Sequence, residues 1–275
     1  MAARTQLAAE LRRLRELAGL SGREMAETVH ISQTSLVRTE QAERVPTLPQ
    51  VKAWARAAGA SEERTAMLTQ LVEAAYSEVE SWRDAMSGVT HLGAHAATMD
   101  AARAVQQYQP TIVPGLLQTA EYARRTLTLS DLPNLDVSGA VAARQNRQSV
   151  LFDADRRTEF LITEAALRFP VGPPQMMHAQ LDRIRSLCTL DQVTIGIIPQ
   201  QHKAAAIGWH EFTIYDKVPD GDSFVYTELM HAQLTISDPA DVAHYRSSFE
   251  KLRQGAQFDQ KATNILNRLT SDLRR

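Results

Sequence analysis

The segment from Ser21 to Leu48 constrains this chain more than any other. Ser21 and Ser32 each stand where a helix N-cap belongs, and Glu24 follows Ser21 at capping-box spacing. Two starts so close leave room for one short helix and a tight turn, which Val29-His30-Ile31 supplies. Met25, Ala26 and Val29 mark the inner face of the first short helix, and Leu36 and Val37 that of the second. This is the pattern of a helix-turn-helix. Upstream, Leu7, Leu11, Leu14 and Leu17 recur at helical spacing and Gly19 ends the stripe. Downstream, Pro46 and Pro49 limit helix starts, and Val51, Trp54, Ala55 and Ala58 form a fourth stripe. Residues 1–60 therefore read as a small all-α domain.

The stretches LRRLRELAGLS (11–21), EMAE (24–27) and ISQTSLVRTEQAERVPTL (31–48) resemble the Cro/lambda-repressor type of helix-turn-helix, the xenobiotic-response-element family. The resemblance implies double-stranded DNA as a partner, with the second short helix in the major groove. By position in that motif, Gln33, Thr34 and Arg38 would face the bases. Gln can pair bidentately with adenine and Arg with guanine. Ser35, Gln41 and Arg44 would contact phosphate, Ser35 also being placed to reach a base. Phosphate contacts orient the protein and carry no sequence information directly. Gly22 stands where the family usually has a phosphate-binding Gln, so Arg23 or the helix N-terminal amides would replace it. Arg15 and Glu40 match positions that form a structural ion pair in the family. The family also implies a homodimer on an inverted repeat, with half-sites about one helical turn apart.

The charge distribution is compatible with this. Residues 1–60 carry nine basic and six acidic side chains, a net +3, whereas the remainder carries 21 basic and 26 acidic. A basic segment on an acidic body suits polyanion binding, although +3 over such a length is also ordinary variation. Cys188 is the single cysteine, which excludes an intrachain disulfide and any multi-cysteine metal site. No secretory signal or membrane-spanning run is visible, so the expectation is a cytoplasmic, nucleoid-associated protein.

Residues 61–97 read as a connection. Ser61, Glu62 and Glu63 start a helix whose stripe (Leu68, Leu71, Val72, Ala75, Tyr76, Val79, Trp82) runs to about residue 86, and Ser87–Thr98 reads as a hinge or loop. From residue 98 to 275 the pattern alternates. Helices are expected near 99–107, 118–128 and 138–152, with a strand at 158–163 and a short helix after it. A helix follows Pro173-Pro174, and strands follow at 192–199, 210–215 and 223–229, the last two joined by DKVPDGD. Helices run from Asp238-Pro239 to the C-terminus. The whole is a multidomain chain, an all-α helix-turn-helix domain followed by a mixed α/β (α+β) domain.

YQPTIVPGLLQTAEYAR (108–124), ARQNRQSVLF (143–152), FLITEAALRFPVG (160–172), QLDRIRSL (180–187), VTIGIIP (193–199), GWHEFTIYD (208–216) and FVYTEL (224–229) resemble the domain that follows this helix-turn-helix in many actinobacterial regulators, WhiJ-like proteins among them. That resemblance implies a sensing or partner-binding role, with a small partner protein that modulates DNA binding. From the residues alone, alternatives stay open. PTIVPGLLQT cannot be regular helix before Gly115, and is either a structural loop or a seat for a partner. Arg144, Arg147 and Gln148 share a helix face that binds an anion or partner carboxylate, or is merely solvated or salt-bridged.

Catalytic and metal patterns are weak. His91 and His95 have helical spacing but flank Gly93, and no HExxH motif accompanies them. His210 and Glu211 are strand neighbours pointing to opposite faces, which argues against a shared pocket with Glu228. Cys188 reads as a small buried hydrophobe. No P-loop or nucleophile elbow is found. The expectation is a transcription regulator without catalytic residues, metal or cofactor. A small-molecule sensor is the alternative, and a DNA-tethered enzyme or toxin-like domain a more remote one.

Overall fold

The computed structural model describes residues 2–81, 96–130, 132, 135–201, 206–218, 222–230 and 232–273. The chain divides into two compact units, residues 1–80 with 234–238, and residues 81–233 with 239–275.

The first unit is helical: α1 (Ala2–Leu17), α2 (Gly22–Thr28), α3 (Gln33–Glu40), α4 (Leu48–Ala57) and α5 (Glu62–Tyr76). Caps set the boundaries. Ser21 and Glu24 form a reciprocal capping box, Ser32 accepts from the Ser35 amide, and Thr47 and Gln50 form a second box. Gly19 (φ +69°) and Gly59 (φ +66°) end α1 and α4 in the left-handed conformation that glycine adopts without strain. Leu7, Leu11, Met25, Leu36, Val51, Trp54, Leu68 and Val72 make one core. The segment 61–97, expected to connect two domains, therefore divides. Its first part, α5, buries Leu68, Val72, Ala75 and Tyr76 in this core. It stops at Tyr76 rather than near residue 86, and β1 (Ser77–Ser81) follows directly. The rest of that expected stripe, and most of the expected hinge, lie outside the described residues.

The second unit alternates helices and strands: α6 (Ala96–Ala101), β2 (Ala104–Gln109), α7 (Ala120–Leu129), α8 (Val137–Arg147), β3 (Arg157–Thr163), α9 (Glu164–Arg168), α10 (Pro174–Leu187) and β4 (Val193–Ile198). Then come β5 (Phe212–Asp216), β6 (Phe224–Glu228), β7 (Ala232–Ile236), α11 (Pro239–Gln254) and α12 (Asp259–Asp272). Within this unit a mixed sheet runs in the order β6-β5-β2-β3-β4. The β2–β3 and β3–β4 pairs are parallel, and β2–β5 and β5–β6 antiparallel. Helical crossovers join the parallel strands. On one face Phe160, Ile162, Ile195 and Ile197 join side chains of α10 and α12 in the main core. On the other, Phe212 packs edge-on against Tyr245 and Phe249 of α11. A Cβ on Gly196 would sit 2.6 Å from the Phe258 ring and 2.8 Å from Leu161, so only glycine lets those groups close over β4.

Besides β1, two further strands were not legible. A helix was expected at 99–107, but α6 ends at Ala101 and β2 lies between β5 and β3. Gln106, Gln107 and Gln109 mask its alternation, and pairing on both sides decides its state. β7 had no expectation at all. The PTIVPGLLQT segment forms a short 3-10 turn at Gly115–Leu117, and the helix expected near 118–128 follows as Ala120–Leu129.

Candidate nucleic-acid interface

The helix-turn-helix is built outward from its buried side. Met25, Ala26, Val29 and Leu36 close the angle between α2 and α3. Between them His30 takes φ +57°, which turns the chain through one residue, and the Ile31 amide donates to Ala26 O at 3.0 Å. A Cβ on Gly22 would meet Leu36 Cδ2 at 3.4 Å, ordinary contact that a small residue fits easily. Thr39 is 1% exposed and donates to Ser35 O at 2.9 Å.

This packing leaves Gln33, Thr34, Val37 and Gln41 exposed along α3. The Gln33 and Thr34 side chains stand on the first turn, where they are free to reach a groove. Ser35 is half-buried, and its hydroxyl accepts from Ser32 Oγ at 2.9 Å. Arg38, expected to face bases, is only 24% exposed, and its Nε lies 3.6 Å from Glu43 Oε2. Reaching a base edge requires Arg38 to leave that carboxylate. Arg23 is exposed and pairs with Glu27 at 3.1 Å, one turn along α2. Both terminal nitrogens of Arg44 lie 3.3 Å from Gln50 Oε1, which ties the loop after α3 to the start of α4. Arg15 and Glu40 are brought together by two contacts, Nε–Oε1 at 2.5 Å and Nη2–Oε2 at 2.9 Å, while Arg15 Nη1 donates to Leu20 O. The carboxylate holds the Arg15 proton more firmly than usual, burial opposing it.

Val37 corrects the expectation of an inward side chain: it is 48% exposed, while Leu36 is 2%. Leu17 is likewise 72% exposed at the end of its stripe. Two adjacent apolar residues on a short helix cannot both face the core, and only the crossing with α2 decides which one does.

The second unit disperses the residues singled out there. Arg147 pairs with Asp100 at 3.1 Å. Gln148 donates to Gln118 O at 2.6 Å and accepts from Arg183. Arg144 donates to Gln118 Oε1 at 2.8 Å. Gln118, 1% exposed, also donates to Val113 O, and Gln180 bonds Thr119 N and Leu117 O, so PTIVPGLLQT is clamped from three sides. His210 bonds Tyr245, and the Thr227 hydroxyl lies between His210 Nδ1 at 3.4 Å and the Glu211 carboxylate at 2.9 Å, Glu211 also accepting from the Glu228 amide. Burial, reinforced by Glu228, pushes the Glu211 carboxyl up to about 7. Burial likewise pushes the Cys188 thiol up to about 11, so it is a weak nucleophile near neutrality. His91 and His95 lie outside the described residues. Among those described, no helix is long and apolar enough to cross a membrane.

Residues 6–68 match a family described as a helix-turn-helix domain, and residues 92–268 match one described as a domain of unknown function, DUF5753. No curated protein matches the chain. Among solved structures, that of TrmBL2, an archaeal chromatin protein described as showing a novel mode of DNA binding, aligns over 91% of this chain and 93% of its own. Its identity is 11% and its TM-score 0.32, too low to speak for a shared fold.

Proposed function

The chain belongs to the family of the domain of unknown function DUF5753, here preceded by a helix-turn-helix domain, and on that premise we propose that it is a sequence-specific DNA-binding transcription regulator. The observation that carries this reading is the capped, tightly crossed α2–α3 pair, which leaves Gln33 and Thr34 exposed at the start of α3. Gln33, Thr34 and Arg38 read base edges in this proposal. Arg23, Ser35, Gln41 and Arg44 hold phosphates. The α2 and α3 amide ends favour the same anions.

One such unit reads only a few base pairs, so the working form is a homodimer on an inverted repeat. The protein acts in the cytoplasm on the chromosome, in the manner of WhiJ-like regulators. A small partner protein binds the second unit and changes whether both reading helices can dock at once, which removes the avidity of the linked pair. Ile207, Trp209 and Met230, at 69%, 84% and 97% exposure, support a protein contact there, since exposed large apolar side chains in one region mark interaction surfaces. No reaction is assigned to the second unit.

Selection from random duplexes with the full chain tests the reading. Enrichment of an inverted repeat is the expected result, with Gln33→Ala relaxing the preference at one position in each half-site. Binding that never discriminates among duplexes at physiological salt sinks it.

A further inference from the structure

The end of α3 is closed by a turn that brings a carboxylate back over the helix. Gln41 caps α3, and Ala42 then takes φ +60°, the left-handed conformation that glycine adopts freely and alanine only under strain. The Ala42 amide donates to Thr39 O at 3.2 Å and the Glu43 amide to Arg38 O at 2.8 Å, the paired bonds of a Schellman motif. That motif sets Glu43 beside Arg38, where two apolar side chains often meet. Here the contact is ionic, Arg38 Nε lying 3.6 Å from Glu43 Oε2. Two more bonds hold the turn. The Arg44 amide donates to Arg38 O at 3.2 Å, and Arg4 of α1 donates to Glu43 O.

Helix stability gives no reason for this carboxylate. A negative charge just past a helix C-terminus opposes the macrodipole. The Glu43 side chain is 57% exposed, and ion pairs of such exposure contribute little to folding. Its position bears instead on DNA. Among the described residues Glu43 is the ion-pair partner of Arg38, and Arg44 follows it directly in the chain. A guanidinium held by a carboxylate must give up that contact before it meets a guanine edge or a phosphate, and the carboxylate left behind then faces a polyanion. Strained backbone positions such as Ala42 gather at binding and switch regions.

We propose that Glu43 is an internal competitor of DNA, holding Arg38 off the groove and keeping each reading helix weaker than its own side chains would make it. This rests on the DNA-binding reading and adds an affinity-setting residue to it. Two weakly bound helices make occupancy depend on both docking at once, which is the condition under which linked binding can be switched.

The test is Glu43→Gln in the full chain, alone and in an Arg38→Ala background. The substitution leaves the main-chain bonds of the turn in place. Fluorescence anisotropy measures binding to the duplex selected by the parent and to a scrambled duplex of equal length, from about 50 to about 300 mM salt. At low salt Glu43→Gln is expected to tighten the selected duplex about threefold per reading helix, and so about tenfold for two. The gain narrows as salt rises, because the pair and the phosphate contacts are both screened. In the Arg38→Ala background the gain should be at least about threefold smaller, since no guanidinium remains to be released. Equal gains in both backgrounds overturn the proposal, because they mark Glu43 as a plain repulsive charge. Unchanged or weaker binding by Glu43→Gln overturns it as well. A parent that prefers no duplex over its scramble brings down the DNA-binding reading and this inference with it. A selective parent with an unresponsive Glu43→Gln removes this inference alone.

Discussion

Arg15 holds both carboxylate oxygens of Glu40, at 2.5 and 2.9 Å, and so ties the end of α1 to the end of α3. The two side chains are 14% and 11% exposed. Removing one partner strands the other in a poorly hydrated place, whereas removing both does not. Arg15→Ala and Glu40→Ala are each expected to destabilise the first unit by about 3 kcal/mol. Arg15→Met with Glu40→Leu should lie near the parent. Urea unfolding of the four proteins checks the pattern, and equal losses in single and double variants would contradict it.

Base reading and phosphate holding separate by their salt dependence. Gln33→Ala is expected to cost about 1–3 kcal/mol on the selected duplex and to relax the preference at one base pair. Arg44→Ala should weaken all duplexes alike and reduce the salt slope by about one. Its loss also removes a donor from Gln50 of the Thr47 capping box, so the variant's melting curve should be compared first. Fluorescence anisotropy across a salt series distinguishes the two behaviours.

Trp54 is fully buried and its indole N–H donates to Leu11 O at 3.1 Å, pinning α4 on α1. Trp54→Phe removes that bond and leaves a small void, with an expected cost of about 2 kcal/mol. Trp54→Ala should cost about 3–5 kcal/mol. Chemical denaturation reads both, and a neutral Trp54→Phe would show that the bond is replaceable by water.

Glu211 introduces a pH dependence. Burial comes first and Glu228 second in raising its carboxyl to about 7 from an ordinary value of 4.5, against the hydrogen bonds from Thr227 and the Glu228 amide. Tyr226 and Tyr245 face the same group. Between these two values the folded chain keeps a proton that the unfolded chain has released. Stability therefore falls as pH rises through that window and this contribution levels off above about 7. Glu211→Gln should remove on the order of 2 kcal/mol of that slope between pH 5 and 7.5. Melting curves over the range are the check, and an unchanged slope would mean that Glu211 ionises normally.

Gln118 clamps the loop before α7 through Val113 O and Arg144 while its own carbonyl takes Gln148. Gln118→Leu keeps the volume and leaves Val113 O and the Arg144 guanidinium without that partner. The expected loss is about 2–3 kcal/mol, visible as faster amide exchange at Val113–Leu117. Unaltered exchange there would show that the apolar contacts of Val113 and Leu117 hold the loop by themselves.

The helix-turn-helix was legible because its determinants are local. Ser21, Glu24 and Ser32 satisfy amides within three residues, and Gly19 turns the chain by itself. The alternation of helices and strands beyond residue 157 was legible for a similar reason, since runs such as Val193–Ile198 are apolar and β-branched. β2 was hidden by its glutamines and β7 by the absence of any marked run. Cap chemistry and side-chain periodicity are short-range properties, and the sequence by itself determined the reading motif, its caps and most of the elements. Tertiary structure alone decided that Val37 faces outward, that Arg38 rests on Glu43, and that Arg144 meets the Gln118 amide. Those outcomes depend on which distant surfaces exclude water from a side chain, and no spacing along the chain encodes that.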